Sequence, residues 1–212
     1  MDLEYYSNVR NEIIEWVPIN SSQQVIEFGC GTGSTLAYLK ETGRASYVCG
    51  VEVIADCEVK AKENKLDEFI IGDINEIDFK RFDKFHVILL LDVLEHLYYP
   101  FEVIKKCKKI LKPGGMIIVS LPNIRNFAIL NKTFVKGLWD YESSGILDST
   151  HIRFFTDKSF RKALIQNIPE LKIDEFKFNY DEYGNKIKKL FTLIPFFKEL
   201  SVCQLLYKIK QN

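Results

Sequence analysis

The stretch "VIEFGCGTGS", residues 25–34, decides the fold of this chain. A short apolar run, typical of a buried strand, passes directly into three glycines at alternate positions, Gly29, Gly31 and Gly33. Glycines spaced in this way after a strand predict a tight turn into a helix, with a ligand lying close to backbone that carries no side chains. In open α/β sheets, ligands bind outside the carboxyl ends of the strands. The stretch therefore predicts a binding site at the end of the first strand.

Apolar runs and amphipathic stretches alternate along the next hundred residues. The predicted strands cover residues 25–29, 46–53, 68–73, 85–92 and 115–122. Their continuous apolar character suits parallel strands that are covered on both faces. Residues 100–111 have apolar positions at helical spacing, and residues 113–115, Pro-Gly-Gly, predict a turn before the next strand. Repeated β-α-β units of this kind predict a doubly wound, mostly parallel sheet in an α/β domain.

The last third of the chain has a different pattern. A helix is predicted to begin near Thr156, a suitable N-cap residue, and residues 171–180 and 201–210 resemble two further strands without a full crossover between them. We expect these two strands to form an antiparallel pair that completes a seven-stranded sheet. The chain is then a single domain over residues 1–212, with a lid or acceptor insertion at about 123–155.

Composition limits the classes of function. The 212 residues carry 29 basic and 29 acidic side chains, and a net charge of zero argues against a nucleic-acid partner or an anionic membrane held mainly by charge. The odd number of cysteines, five, and the absence of a CxxC pair predict reduced thiols. Three scattered histidines predict no metal site. Without a signal peptide or a long apolar run, a cytoplasmic location is expected.

Two ligand classes compete for the glycine loop. A dinucleotide fingerprint places its third glycine at the sixth position of the loop, where this chain has Ser34. Glu27 lies inside the apolar strand, where an unpaired carboxylate is costly, and a cationic ligand explains it better than a pyrophosphate. Asp92, at the end of the fourth strand, adds a second acid to the same edge. Glu52, at the end of the second strand, suits ribose hydroxyls in either class.

At this point the motifs resemble those of the class I S-adenosylmethionine-dependent methyltransferases. "VIEFGCGTGS", "GVEV" and "GDI" resemble the first three motifs of that family. "LLLDVLEHL" and "LKPGGMIIVSLPN" resemble the fourth- and fifth-strand segments of the branch that includes ubiquinone-biosynthesis methyltransferases. The resemblance covers roughly residues 3–165. It implies a Rossmann-like methyltransferase fold and S-adenosylmethionine as the cofactor.

The same resemblance implies the residues of the cofactor site. Glu27 and Asp92 are expected to face the methionine part, Glu52 the ribose, and Asp73 the adenine. Arg10, four residues after Tyr6 on one helix face, is the candidate partner for the cofactor carboxylate, with an exposed surface arginine as the alternative. The full set of implied cofactor residues is Arg10, Glu27, Gly29, Cys30, Gly31, Gly33, Glu52, Val53, Asp73, Ile74 and Asp92.

The acceptor site is predicted after the fifth strand. His151, in "GILDSTHIRFFT", is the candidate general base or acceptor contact, and Asp148 is predicted to orient it or to stabilise its charge; the alternative is a histidine that only holds the loop. His86 is predicted to be structural. His96 is predicted to support the loop around Asp92.

Aromatic and polar residues of the insertion extend this predicted acceptor site. Trp139 and Tyr141 are predicted to stack against an acceptor, the alternative being that Phe127, Phe134 and Trp139 pack the lid onto the domain. Two further residues are placed near the reaction edge as acceptor contacts, Asn123 and Arg125.

These features predict a methyltransferase that acts on a small molecule at oxygen. The pattern "LPNIRN…WDY…GILDSTHIRFF" resembles bacterial enzymes of cell-envelope polysaccharide contexts, and the resemblance implies a sugar or glycan precursor as the acceptor. The alternatives are a nucleotide-cofactor oxidoreductase, disfavoured by Ser34 and Glu27, and a non-catalytic cofactor-binding module. Residues 186–200 are apolar with flanking lysines, but Pro195 interrupts a helix there. A second lid or a homodimer contact is therefore expected for that stretch in preference to membrane contact.

Overall fold

A computed structural model describes residues 7–180 and 195–212 of the chain. Tyr6 and most of the stretch 186–200 lie outside the described residues, so the expectations that concern them stay predictions. The strands are β1 (Gln24–Phe28), β2 (Tyr47–Glu52), β3 (Glu68–Ile71), β4 (Phe85–Leu91), β5 (Leu111–Pro122), β6 (Leu171–Asn179) and β7 (Gln204–Gln211). The α-helices are α1 (Asn11–Ile14), α2 (Ser34–Glu41), α3 (Cys57–Glu63), α4 (Pro100–Lys109), α5 (Phe127–Leu130) and α6 (Asp157–Asn167). Among these described helices, none is long and apolar enough to cross a membrane.

The seven strands form one sheet in the order β3-β2-β1-β4-β5-β7-β6. The first five strands are parallel, as the continuous apolar runs predict, and β1 lies between β2 and β4. The direction of strand succession reverses at this point, which makes the carboxyl end of β1 the switch point where open α/β sheets bind ligands. The fold class predicted from the sequence is confirmed.

Each face of the sheet carries its own apolar core. Ile26 and Phe28 contribute to one cluster, and Val25 with Val87 contributes to the other. Successive strand residues point to opposite faces, so Glu27 shares the face of Val25. It is an acid at a position where its neighbours are fully buried apolar side chains.

The C-terminal strands form the predicted antiparallel pair. β7 lies between β5 and β6 and is antiparallel to both. Tyr207 of β7 is fully buried and lies against the rings of Phe160 and Phe176, with centroids 4.5 and 5.0 Å away. Helix α6 begins after Thr156, whose side chain and that of Ser159 cap each other's backbone N–H groups. These contacts attach the C-terminal third to the parallel half of the sheet.

One local prediction differs from the structure. Residues 113–115 do not separate α4 from the next strand, because β5 already begins at Leu111. Leu111 pairs with Phe85 and Met116 with Val87, so the residues between them form a bulge in β5 opposite His86. The ring of His86 accepts a hydrogen bond from the backbone N–H of Gln24 at 2.9 Å, which fits the structural role predicted for it.

Candidate active site

The glycine loop joins the end of β1 to α2 through three left-handed residues. Gly29, Gly31 and Gly33 have φ values of +71°, +53° and +75°. A Cβ on Gly29 would lie 2.7 Å from a methyl group of Val93, and one on Gly33 would lie 2.5 Å from a methyl group of Leu66. The loop therefore requires glycine both for its backbone conformation and for close packing against the protein itself, in addition to the ligand contact predicted from the sequence.

Cys30 turns its side chain away from the edge of the sheet formed by the carboxyl ends of the parallel strands, which is called the edge below. It is 7% exposed, and a Cβ on Gly50 of the neighbouring strand would lie 2.6 Å from its sulfur. Burial among acidic neighbours raises the pKa of this thiol well above its usual range. Cys30 therefore presents its backbone, and not a reactive thiolate, to the edge.

Glu52 fastens the loop to the end of β2. Its carboxylate accepts hydrogen bonds from the backbone N–H groups of Gly31 at 2.8 Å, Val53 at 2.8 Å and Ile54 at 3.1 Å. A carboxylate has about four acceptor positions, so capacity for one more donor is left. The structure thus holds this acid rigidly at the place expected for a ribose contact.

The residues expected around the adenine end lie further along the same edge. Val53 is 63% exposed beyond β2. Asp73 follows β3, and one of its carboxylate oxygens accepts from both the backbone and side-chain nitrogen atoms of Asn75 at 2.8 Å. Ile74 is 8% exposed and packs into the core. Asp73 therefore shapes the turn itself and leaves its second oxygen toward solvent.

Asp92 lies at the centre of a hydrogen-bond network at the end of β4. One carboxylate oxygen accepts from the hydroxyl of Ser120 at 2.7 Å, and the other accepts from Arg10 at 2.9 Å and from the side-chain amide of Gln204 at 2.6 Å. Its φ of +55° is unusual for a residue other than glycine. Such strain persists where surrounding contacts over-determine a residue, and it is common at functional sites.

Arg10 enters this network from the residue before α1. Its guanidinium donates to Asp92, to Glu12 at 2.6 Å and to Ser120 at 3.2 Å. Burial alone lowers the pKa of the guanidinium, but the carboxylates of Asp92 and Glu12 raise it overall. The structure therefore brings Arg10 to the predicted edge, where it is paired with acids of the chain.

Glu27 is the acid beside the glycine loop whose carboxyl group is incompletely satisfied. It is 3% exposed, and its Oε2 atom has no hydrogen-bond partner among the described residues. Burial raises its pKa to about 8; the positive charge of Arg10 opposes the rise, and the negative charge of Glu52 adds to it. A cationic ligand group would supply the missing partner, whereas a pyrophosphate would repel it. The site thus fits a ligand that carries an ammonium or sulfonium group.

His151 occupies the other end of the edge, in the loop before α6. Its ring Nδ1 lies 3.0 Å from the carbonyl oxygen of Ile146, and its Nε2 lies 3.9 Å from a carboxylate oxygen of Glu95. The ring of His96 packs edge-on against it, with centroids 4.7 Å apart. His96 itself approaches the carbonyl of Thr150 at 3.3 Å, so it contacts the His151 loop.

The prediction that Asp148 orients the His151 ring is wrong. The Asp148 carboxylate accepts from the backbone N–H and the hydroxyl of Thr150, at 2.8 and 2.6 Å. These bonds lower the pKa of Asp148 although partial burial opposes them, and the imidazole of His151 lowers it further. Asp148 therefore acts on His151 only through its charge and a backbone hydrogen bond of 3.0 Å, while the Ile146 carbonyl fixes the ring.

Glu95 is the functional candidate that sequence reasoning missed. It is 1% exposed, and neither carboxylate oxygen has a hydrogen-bond partner among the described residues. Burial raises its pKa well above the usual range. Glu95, His96 and His151 each bring one potential ligand atom to within 4.8 Å of the others. Two of the three histidines are therefore not scattered, because the loop between β5 and α6 folds back onto residues 94–96. The absence of a metal site stays a prediction.

The prediction that Asn123 contacts an acceptor is contradicted by its burial. Its side chain is fully buried, and its amide nitrogen donates to the carbonyls of Glu199 and Val202 at 2.9 and 3.1 Å. Asn123 thus joins the end of β5 to the segment before β7. Arg125 is partly exposed and forms an ion pair with Glu199, so it lies near the edge with its charge already compensated.

The predicted lid, residues 123–155, carries exposed aromatic rings. Trp139 is 43% exposed and meets Phe154 edge to face, with ring centroids 5.6 Å apart, and Tyr141 is 56% exposed. Phe134 is 81% exposed, which contradicts the alternative that it packs the lid onto the domain. Leu147 is fully buried and anchors the lid close to His151.

The sequence has clear relatives. Residues 4–167 match the family described as "Methyltransferase domain". The chain is similar to the ubiquinone biosynthesis O-methyltransferase of Nitrosococcus oceani, with 28% identity over 135 residues that cover 57% of this chain and 56% of that protein. The mitochondrial ubiquinone biosynthesis O-methyltransferase of Candida albicans is 30% identical over 134 residues, or 60% of this chain and 39% of that protein. The chain thus spans about half the length, or less, of these curated relatives.

Solved structures share the fold. An S-adenosylmethionine-dependent methyltransferase from Mesorhizobium loti superposes with a TM-score of 0.66 at 16% identity, over 94% of this chain and 96% of that one. Magnesium protoporphyrin IX methyltransferase from Synechocystis PCC 6803, solved with bound S-adenosylhomocysteine (SAH), gives a TM-score of 0.65 at 14% identity, over 99% of this chain and 83% of that one. At these identities the similarity extends to the architecture of the sheet and its helices.

Proposed function

The chain belongs to the class I S-adenosylmethionine-dependent methyltransferases, and from that premise we propose that it transfers the methyl group of S-adenosylmethionine to a hydroxyl of a small-molecule acceptor. The observation that carries the proposal is Glu27. A buried acid with an unpartnered oxygen beside the glycine loop suits a cationic cofactor and disfavours a pyrophosphate. This is also the reason to prefer methyl transfer over a nucleotide-dependent oxidoreduction.

Each residue of the edge is proposed to contact a different part of the cofactor. Glu27 and the Asp92 network face the charged methionine part of the cofactor, Glu52 offers its remaining acceptor position to the ribose, and Asp73 lies at the adenine end. Arg10, held beside Asp92, lies where it can meet the cofactor carboxylate. The cofactor supplies an electrophilic methyl group on sulfur, so the protein has mainly to bind, orient and exclude water. Orientation of this kind is worth on the order of 7–11 kcal/mol in favourable cases.

The acceptor is proposed to lie between the lid and the loop of His151. With Nδ1 directed at the Ile146 carbonyl, the Nε2 atom of His151 is the one that can take a hydroxyl proton. Trp139 and Tyr141 offer exposed rings on which a sugar face or an aromatic ring can stack. The names of the relatives support oxygen as the methylated atom. A sugar or glycan precursor is the proposed acceptor class, on the resemblance of the segment after β5 to enzymes of cell-envelope polysaccharide contexts.

Two properties of the whole protein belong to the same proposal. With a net charge of zero, a small molecule is a better acceptor than a nucleic acid. The buried thiols of Cys30, Cys49, Cys57 and Cys107 suit a reducing, cytoplasmic compartment. A homodimer stays a prediction, which light scattering of the purified chain can test.

Calorimetry tests the cofactor directly. S-adenosylmethionine and SAH are expected to bind, while NAD and NADP are expected to give no heat. Glu27→Gln should weaken cofactor binding, because a neutral amide cannot balance the cationic ligand, whereas Glu76→Gln, an exposed acid beyond β3, should not. Binding of NAD in place of S-adenosylmethionine would refute the proposal.

The acceptor is tested by transfer of a labelled methyl group to sugars, nucleotide sugars and phenols. With the acceptor in hand, His151→Ala is expected to keep the cofactor affinity of the parent and to lower turnover by about 10²–10⁴-fold. Unchanged turnover would show that His151 only holds its loop.

A further inference from the structure

A second cavity lies beside the proposed acceptor site. It has a volume of about 250 Å³ and opens between the start of α4 and the loop before α6. Its walls combine planar polar side chains with aromatic rings, and the rings are those of Tyr98, Tyr99, Phe101 and Phe155. We propose that this cavity is a carbohydrate subsite, which holds the sugar unit next to the one that is methylated. The acceptor is then a saccharide of at least two units.

Tyr98 and Tyr99 present aromatic faces that the fold does not use. They are 67% and 73% exposed, and neither hydroxyl forms a hydrogen bond with another described residue. Exposed apolar groups that line a concave site mark ligand grooves. A tyrosine offers a rigid apolar face and a polar tip at low cost in conformational entropy. These two properties suit the apolar face and the hydroxyl groups of a sugar ring.

The base of the cavity is rigid. The side chain of Phe155 is buried, and its ring meets those of Phe101 and Phe160 edge to face, with centroids 6.5 and 5.9 Å away. Pro100, the first residue of α4, is also buried and fixes the backbone directly after the two tyrosines. The tyrosines are thus held on a preformed support, so a ligand that binds here has little chain to order.

Three polar side chains of the cavity keep hydrogen-bonding capacity that no described residue uses. Arg153 donates through Nε and Nη2 to the carbonyl of Tyr98, at 3.3 and 2.8 Å, which leaves its Nη1 donors. The amide nitrogen of Asn167 donates to a carbonyl four residues earlier in α6, at 2.8 Å, and its oxygen stays an acceptor. Glu102 accepts from Lys105 through one oxygen, at 2.7 Å, and keeps the other. Donors and acceptors in fixed positions around apolar rings match the hydroxyls of a sugar.

The charges of the cavity favour an uncharged polar ligand. Among the described residues that line it, Arg153 is the one cation and Glu102 the one acid. An isoprenoid or acyl chain would cover the rings, but it would also bury polar groups of Arg153, Glu102 and Asn167 without partners, which is costly. A sugar ring satisfies the aromatic and the polar groups together. The volume lies below the about 300–1,000 Å³ of sites for drug-sized ligands, so one sugar ring is the expected occupant.

Hydrogen bonds connect the cavity to the loop of His151. The backbone carbonyl of Glu95 accepts from the N–H groups of Ile152 and Arg153, both at 2.9 Å. Arg153 lies two residues after His151, so their Cα atoms are at most about 7 Å apart. Neighbouring units of one saccharide can therefore reach both side chains. This link to the methylated unit rests on the proposed function, whereas binding of a sugar in the cavity does not.

Sugar binding is tested on the full chain by saturation-transfer NMR, with cellobiose, lactose and N,N′-diacetylchitobiose as probes. At least one of these disaccharides is expected to bind. Tyr98→Ala, Tyr99→Ala and Arg153→Gln should each weaken that binding, by up to about tenfold where one aromatic contact is lost. Tyr98→Phe should bind like the parent, because it keeps the ring that stacks.

Matched controls and thermal melting separate loss of the subsite from loss of the fold. Tyr38→Ala changes an exposed tyrosine of α2, and Arg81→Gln changes an exposed arginine between β3 and β4, so both should bind the disaccharide like the parent. The variants of the subsite change exposed side chains and should keep the melting temperature of the parent.

Three results of these experiments would overturn the subsite. They are no binding of any of the three disaccharides, equal binding by the parent and all three variants, and binding of farnesol that is lost in the same variants. The last result would assign the cavity to an isoprenoid chain.

Kinetics with an identified acceptor test the link to methyl transfer. Tyr98→Ala should raise the KM for a disaccharide acceptor and leave kcat unchanged, because the subsite adds the same binding energy before and during transfer. The KM for the matching monosaccharide should stay that of the parent. An equal rise for both acceptors would place Tyr98 at the methylated unit and contradict the proposal.

The subsite and the proposed function can fail separately. Binding of S-adenosylmethionine should be the same in Tyr98→Ala and in the parent, since the cofactor residues are a separate set. Disaccharide binding without cofactor binding would keep the subsite and remove methyl transfer. Cofactor binding with methyl transfer to phenols alone, and no disaccharide binding, would do the reverse.

Discussion

Glu27 and Asp92 lie at the ends of neighbouring strands, but their carboxyl groups differ in how many hydrogen-bond donors surround them. Asp92 has three donors around its carboxylate, so its negative charge is balanced before any ligand arrives. Glu27 is buried with an unpartnered oxygen, and its raised pKa of about 8 keeps it largely protonated at neutral pH. The ligand-free protein therefore has a neutral acid at the point where a cationic cofactor is proposed to bind.

The raised pKa of Glu27 predicts a dependence of stability on pH. An unfolded glutamate ionises near pH 4.5 and the folded one near pH 8, so the folded state holds the extra proton between these values. The ligand-free protein therefore loses stability as the pH rises through this window. Between pH 5 and pH 8 the loss is on the order of 3 kcal/mol from this group.

Urea unfolding at pH 5 and pH 8 measures that loss. Glu27→Gln should reduce the difference between the two pH values, and exposed Glu76→Gln should leave it unchanged. An equal pH dependence in parent and Glu27→Gln would show that Glu27 ionises normally in the folded chain.

At the scale of elements, α6 supports the proposed acceptor region and contributes no residue to the proposed transfer site. It begins directly after the His151 loop, and its capping box links the Thr156 and Ser159 side chains to each other's backbone N–H groups. Phe160 of the same helix is fully buried against Tyr207 of β7. The helix therefore holds the C-terminal end of the His151 loop through its N-terminal cap, and is itself held by a core contact with β7.

Thr156→Ala tests this separation of support from binding. The free energy of unfolding is expected to fall by about 0.5–2 kcal/mol, because one cap acceptor is lost. Affinity for S-adenosylmethionine should stay that of the parent, since α6 contributes no cofactor residue. Lys162→Ala, an exposed change on the same helix, is the control and should alter stability by less than about 0.5 kcal/mol. A large loss of cofactor affinity in Thr156→Ala would show that the helix reaches the cofactor site.

At the scale of the whole molecule, cofactor binding should stabilise the domain cooperatively. At a concentration of about 100 times Kd, a ligand that binds only the folded state adds about 2.7 kcal/mol. For a domain of this size that corresponds to a rise in Tm of roughly 5–10 °C. Thermal scans with S-adenosylmethionine or SAH should show the rise, and scans with NAD should not. No shift with either sulfur compound would contradict the cofactor assignment.

The cofactor edge was predictable from sequence because its residues lie next to strand ends. Glu27 and Glu52 lie in the last two positions of their strands and Asp92 directly follows β4, and parallel strands end at one edge. The acceptor end depends on contacts between distant segments. Glu95 meets His151 across 56 positions, and Asn123 bonds to Val202 across 79. No local pattern reveals these pairs, which is why Glu95 was missed and Asn123 was misassigned.

The position of β7 between β5 and β6 has a consequence for synthesis on the ribosome. The N-terminal strands emerge first and can pair in order, but β6 has no neighbour in the sheet until β7 has left the exit tunnel. Until then the edge of β5 stays open to other chains, a hazard that chaperones limit. Gln204 completes the hydrogen bonds of Asp92, and the Val202 carbonyl those of Asn123. The nascent protein therefore finishes its binding edge only when β7 has been made.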